Sequence, residues 1–235
     1  MTRIFALGPV DQPVAPVVWA NPHLAGVTLG ASWAAVNPTQ GHYDWSVLDA
    51  GVAAAKAAGK RVMVCISPGV RAPAWLYSIG AAGLDLSWWL GWGPKIGSLV
   101  RRPLPWDTVA LQQWGACVAA LLAHYAGNAT VEGYKVTGAV NCQTSELDLH
   151  WDRGATTPEI DPLTAWHVVG YRPSLVSAAW GSVLRAWSAE KTKTLTIMVG
   201  GWGLPPIDDA GHRTGNPHGD GDLRRALMAQ ARSAL

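Results

Sequence analysis

The chain has 235 residues, the length of one domain, 1–235. Hydrophobic residues make up 49% and charged residues 14%, which excludes a disordered chain. A net charge of +2, with no long basic run, excludes a nucleic-acid face.

No stretch approaches the ~18 consecutive apolar residues of a membrane span. The opening MTRIFALGPVDQP is broken by Pro9 and Asp11 and lacks a small-residue cleavage site, so no signal peptide is expected. Cys65, Cys117 and Cys142 are odd in number and show no CxxC spacing. They read as reduced, buried thiols and point to the cytoplasm.

In chain order, Ile4–Leu7 is a first strand and Val27–Ala31 a second, bounded by Gly26 and the Asn37-Pro38 turn. A helix over Ser46–Ala58 follows, with Leu48, Val52 and Ala55 on one face and Asp44 or Ser46 as N-cap. Arg61–Ile66 is a continuous apolar run of the kind that is buried on both faces of a sheet. Asp107 caps a helix over Thr108–Tyr125, striped by Leu111, Trp114, Val118, Leu121, Leu122 and Tyr125. Tyr134–Val140 is the next strand. Pro173 opens a helix carrying Val176, Trp180, Val183 and Trp187. Thr194–Val199 is a further strand, and Asp222–Ala234 a last amphipathic helix striped by Leu223, Ala226, Leu227, Ala231 and Ala234.

Alternating strands and helices indicate an α/β fold with a mainly parallel sheet. The helix-to-strand links are short, whereas the strand-to-helix links Ser67–Asp107 and Asn141–Arg172 are long. In a βα-barrel that length belongs on the active face, where loops follow the strand C-termini. Fourteen Trp stand beside a single Phe. Trp33, Trp75, Trp88, Trp89, Trp92, Trp106, Trp151, Trp166 and Trp202 fall at strand C-terminal ends or in the loops beyond. Indole faces pack on the C–H face of sugar rings, which suits a carbohydrate cleft; anchoring of long loops is the other reading.

No GxSxG elbow, GxGxxG or P-loop is present, and no cofactor is expected. Asp208-Asp209 to His212 and His218 to Asp222 have metal-ligand residue types in a Gly- and Pro-rich loop, which reads as a polar loop; no metal is expected. Glutamate is scarce. Glu132 precedes a strand and Glu190 ends a helix, placing both on the face opposite the long loops. Glu146 lies just beyond the Tyr134–Val140 strand. Among indoles, desolvation raises a carboxyl pKa toward that of a general acid. A loop-bracing carboxylate is the alternative.

Trp33-Ala-Ala-Val-Asn37-Pro38-Thr-Gln-Gly41-His-Tyr43-Asp44-Trp45-Ser-Val-Leu48-Asp49, followed by Ala58-Gly59-Lys60-Arg61-Val-Met-Val and Ala72-Pro73-Ala74-Trp75-Leu76, resembles clan A glycoside hydrolases. The nearest look is that of the β-galactosidase-like (family 42) barrels. The resemblance covers residues 26–76 and, more loosely, 132–147. It implies a (β/α)8 TIM-barrel of retaining enzymes, with an acid/base Glu after the fourth strand and a nucleophile Glu after the seventh. Glu146 then takes the acid/base place, and Asn141 resembles the Asn that contacts the sugar 2-hydroxyl. In the family that Asn directly precedes the Glu; here four residues separate them. Asn37 stands where the second-strand motif carries Glu.

About five βα units are readable, fewer than eight, and the nucleophile strand is not among them. The expectations are therefore an incomplete TIM-barrel type, with Glu146 catalytic and Trp33, Trp75, Asn141, Trp151 and Trp202 substrate-binding. A carbohydrate is the partner, and self-association or a partner chain closes the barrel. A noncatalytic carbohydrate-binding protein on a degenerate barrel is the rival; an enzyme using Asp208 or Asp209 as second carboxylate is a third reading.

Overall fold

The structure is a computed structural model and describes residues 3–87, 95, 97–138, 149, 161–198, 204–215 and 221–235. Strand β1 (Phe5–Val10) leads through the short helix α1 (Pro16–Ala20) to β2 (Gly26–Ser32), which runs directly into α2 (Trp33–Val36). Helix α3 (Ser46–Ala57) and β3 (Arg61–Ser67) follow. A 3-10 turn at Gly69–Arg71 and α4 (Trp75–Ser78) precede a hairpin of β4 (Gly83–Ser87) and β5 (Leu99–Pro103). Then come α5 (Thr108–His124), β6 (Val131–Lys135), α6 (Pro162–Val168), α7 (Pro173–Trp187), β7 (Thr194–Thr196) and α8 (Gly221–Ala234).

Five strands form one parallel sheet in the order β1-β2-β3-β6-β7, while β4 and β5 pair antiparallel on their own. Strand neighbours in chain order, joined by helices, are the arrangement of a βα-barrel wall. On the helix-facing side lie Val27, Leu29, Ala31, Val62, Val64, Ile66, Tyr134 and Val136, all buried. Helix α3 packs on β2 and β3, and α5 and α7 pack on each other. A Cβ on Gly51 of α3 would stand 2.7 Å from Leu29, so glycine lets that helix settle onto β2. Helix α7 brings the Trp187 ring to 5.9 Å from that of Tyr134.

The opposite side alternates with it and, apart from Met63, is small or polar: Thr28, Gly30, Ser32, Cys65, Ser67, Gly133, Lys135 and Thr137. Leu7 on β1 is 61% exposed and Met198, two residues past β7, 49%.

Local chemistry sets the helix starts. Asp107 accepts from Ala110 N at 2.8 Å at the head of α5, and Pro173 occupies the first turn of α7. The cap of α3 differs from expectation. Trp45 takes the N-cap position without a side-chain bond, and Asp44 accepts from Ser46 N one residue earlier. Strand β6 begins at Val131, three residues before the expected start, and its ladder ends at Lys135. Ala226 of α8 is exposed, so the buried stripe of that helix is Leu223, Leu227 and Ala231. Among the described residues no helix is long and apolar enough to cross a membrane.

Candidate active site

The C-terminal ends of β1, β2, β3 and β6 bring oxygens side by side. Ser32 and Ser67 are register partners, and Thr137 Oγ1 donates to Ile66 O at 2.7 Å from the adjoining strand end. Ser32 Oγ is already used, accepting from Ala35 N to cap α2. Ser67 Oγ is buried and has no partner among the described residues. Thr137 O accepts two indole N–H groups, from Trp114 at 3.1 Å and Trp187 at 2.8 Å. This fixes the end of the strand that leads to residues 139–148.

Asp11 completes the row. Its backbone has φ +57°, a left-handed conformation that residues other than glycine rarely adopt. Its N–H donates to Gly30 O at 3.0 Å, and its Oδ1 accepts from Ser32 N at 2.7 Å. Its Oδ2 lies 3.7 Å from Arg71 Nη1, an ion pair too long to be a hydrogen bond.

The loop after β2 is organised by Asn37. The buried amide donates from Nδ2 to Thr39 O and His42 O, each at 2.8 Å, and Asn37 O accepts from Trp75 Nε1 at 2.8 Å. Asn37 N donates back to Trp33 O. Trp33, Asn37 and Trp75 are thus tied into one corner. Trp75 remains half-buried, whereas Trp33 is 1% exposed, its ring edge-on to Trp114 with centroids 5.1 Å apart.

Of the residues expected at the site, Glu146, Asn141, Trp151 and Trp202 lie outside the described residues, as do Trp88, Trp89 and Trp92. Of the other indoles in that group, Trp106 and Trp166 make packing contacts. Trp106 rests against Trp166 and Tyr171, and buried Trp166 donates from Nε1 to Leu149 O at 3.0 Å. Asp209 accepts from Ser174 N at the head of α7. Asp208 accepts from His212 N, a bond that holds its carboxyl below the usual range. Glu132 pairs with Arg3 at 2.6 Å. For Glu190, burial works to raise the pKa, but bonds from Thr192 and Lys193 outweigh it and the net shift is downward.

The motif Gly41 to Asp49 is structural in its contacts. Tyr43 stacks on Trp45 at 5.6 Å, and Trp45 on His124 at 5.4 Å. Asp49 Oδ1 accepts from Tyr125 OH at 2.8 Å and meets His124 Nε2 at the same distance. Burial raises the Tyr43 pKa, with Cys117 nearby adding to it; burial alone pushes the Cys117 thiol up to about 12.

Sequence reasoning missed Asp11, Arg71 and the hairpin. On β5, Arg102 is buried, while Arg101 pairs with Asp85 at 2.8 Å and covers the Tyr77 ring at 5.1 Å. Burial pushes Tyr77 up to about 12. The signals were Leu84 and Leu86 alternating with Asp85, a period-2 pattern, and two adjacent arginines.

Comparison with known families decides the ancestry of this arrangement. The chain matches the glycoside hydrolase family 42 profile, described as β-galactosidase, over residues 19–152. That is more than half of its 235 residues. The chain belongs to this family.

The family-42 match runs from α1 through β6 and takes in the whole row of strand ends apart from Asp11. Among solved structures, the chain is similar to the catalytic domain of β-amylase from Paenibacillus polymyxa, with a TM-score of 0.58 at 13% identity, covering 99% of this chain and 74% of that one. It is also similar to the β-galactosidase of the psychrophilic Marinomonas ef1, with a TM-score of 0.51 at 11% identity, covering 83% of this chain but 37% of that one. At such identities the likeness establishes the fold, that of the TIM-barrel glycoside hydrolases, of which this family-42 chain forms a parallel five-strand portion in its described residues. No curated protein sequence matches it.

Proposed function

We propose that the chain hydrolyses O-glycosidic bonds, with a β-galactoside-like pyranoside as substrate, by a retaining two-carboxylate mechanism. The observation that carries this reading is the family-42 match across residues 19–152, which takes in β6 and Glu146. Glu146 protonates the glycosidic oxygen as the bond to the anomeric carbon breaks. A second carboxylate, which the five readable βα units do not supply, attacks that carbon from the opposite face and forms a covalent glycosyl-enzyme. Glu146 then removes a proton from water, which displaces the carboxylate. The two carboxyl groups of such a pair stand about 5–5.5 Å apart.

Asn141, Trp75, Trp151 and Trp202 are the residues we place against the sugar. The Trp75 indole is held by its bond to Asn37 O. Trp33, buried against Trp114, supports the strand end from within. Asp208 and Asp209 are poor candidates for the second carboxylate because one is bonded to its own turn and the other caps α7. Exposed Leu7 on β1 and Met198 just past β7, on the open face with Thr28, Met63 and Lys135, support association with a second copy or a partner chain that covers that face. The buried thiol of Cys117, outside any disulfide, supports a reducing, cytoplasmic compartment.

The test is turnover of a panel of aryl β-glycosides by the wild-type chain and by Glu146→Gln, in the presence and absence of whatever sequence accompanies it in its natural reading frame. Loss of about 10²–10⁴ in rate on that substitution supports the assignment. Unchanged turnover removes Glu146 from the mechanism. Saccharide binding without turnover favours the noncatalytic reading, for which Asn37 in place of the motif Glu is the supporting observation.

A further inference from the structure

A cavity of about 320 Å³ lies on the wall of the barrel, between the segment after β1 and helix α3. It exists because the β1-to-β2 crossover carries a five-residue helix that buries none of its residues. Leu29, Trp19 and Ala54 line its apolar part, and Asp11 and Gln12 its polar part.

The chemistry of Asp11 narrows what fits. One carboxylate oxygen is spent on Ser32 N, and the second is within 3.7 Å of a guanidinium without a hydrogen bond to it. That oxygen retains acceptor capacity, and the side chain is 30% exposed. The carboxylate disfavours an anion, and the nearby Arg71 charge disfavours an ammonium group. A neutral hydroxylated ligand suits both. The carboxylate accepts an O–H while an indole and aliphatic walls receive a C–H face.

We infer that this cavity, which meets the row of strand ends at Asp11 and extends from there toward α3, is a saccharide site, holding one pyranose ring with a hydroxyl on Asp11 Oδ2 and its apolar face toward Trp19. The volume, at the lower end of the range for ligand pockets, limits it to one ring. The left-handed backbone of Asp11 is held by its bonds to Gly30 O and Ser32 N, which fixes the carboxylate in place before any ligand arrives. The inference rests on the carbohydrate reading above.

Isothermal titration with methyl β-D-galactopyranoside and methyl β-D-glucopyranoside tests it, using wild type, Asp11→Asn and Ala54→Leu. Asparagine tolerates the positive φ and keeps the acceptor for Ser32 N, and leucine is a strong helix former that fills the cavity. Circular dichroism checks that both variants fold. The expected result is binding by wild type, weakened about 10- to 100-fold by Asp11→Asn and abolished by Ala54→Leu. Wild-type binding that Ala54→Leu or Asp11→Asn leaves unchanged overturns the cavity site and keeps the carbohydrate reading. No binding by wild type overturns the cavity site, while turnover of the aryl β-glycosides decides the carbohydrate reading separately.

Discussion

The Thr137 carbonyl receives the indole N–H of both Trp114 and Trp187, and this double acceptance makes a quantitative prediction. Either Trp→Phe substitution removes one donor and part of a buried ring. The packing loss is ~1–2 kcal/mol, a fraction of the 3–5 for truncation of Trp to Ala, and the bond adds ~1. After one substitution the carbonyl still has the other donor. After both, a buried carbonyl loses its indole partners, which costs ~1–3 kcal/mol where one orphaned group is concerned. The double variant should therefore be less stable than the sum of the singles by ~1–2 kcal/mol. Urea unfolding followed by far-UV circular dichroism measures all four corners of the cycle. A control pairs Trp33→Phe with Trp187→Phe. Trp33 Nε1 has no partner among the described residues, so this second cycle should be additive. Additivity of the Trp114/Trp187 cycle to within ~0.5 kcal/mol would refute the shared-acceptor argument. A control cycle as strongly coupled as the test would reduce the effect to general packing.

The remaining predictions concern other polar groups. Asn37→Asp replaces a buried donor of two bonds with an acceptor that must stay charged or bind a proton; it should destabilise by ~2–4 kcal/mol in urea melts, and an effect under ~1 would mean the 37–43 loop reorganises freely. Asp161 caps α6 and its carboxyl is held below the ordinary 3.8 by the side chain and then the backbone N–H of Thr164. Its contribution is complete above that ordinary value and is lost as pH falls through the lowered one. Thermal melts between about pH 5 and pH 2 should then show a steeper loss for wild type than for Asp161→Asn, and parallel curves would contradict it.

What could be seen in the sequence follows from burial. The strand β3 is apolar along Val62–Ile66 because both sides are covered, so no other element could be mistaken for it. Helices α5 and α7 announce themselves by a cap or a first-turn proline and a single buried stripe. The start of β6 was hidden by Glu132 and Gly133, residues that disfavour strands in isolation. Gly133 is required there by the approach of the Thr194 backbone, a tertiary fact with no local trace. The β4–β5 hairpin was folded into a long loop because its strands have five residues each and one of them ends in proline. At the candidate site, the indoles were legible as a group, but their faces were not. Whether Trp33 stacks on a ligand or packs edge-on against Trp114 depends on a helix 81 positions away. In the sequence Asp11 shows only as a break in the opening apolar run. Its ties to Ser32 and Arg71 come from strand ends that meet only after folding.

The Tyr43–Trp45–His124 stack and the Asp49–Tyr125 bond have a consequence for ancestry and chemistry. The stretch of the family motif from Tyr43 to Asp49 holds α3 against α5. It is a signature of construction. None of these contacts involves Ser32, Ser67 or Thr137, so a change at the strand ends leaves that latch intact. Two relatives with the same latch can thus differ in sugar, in rate, or in having any turnover, and still fold alike.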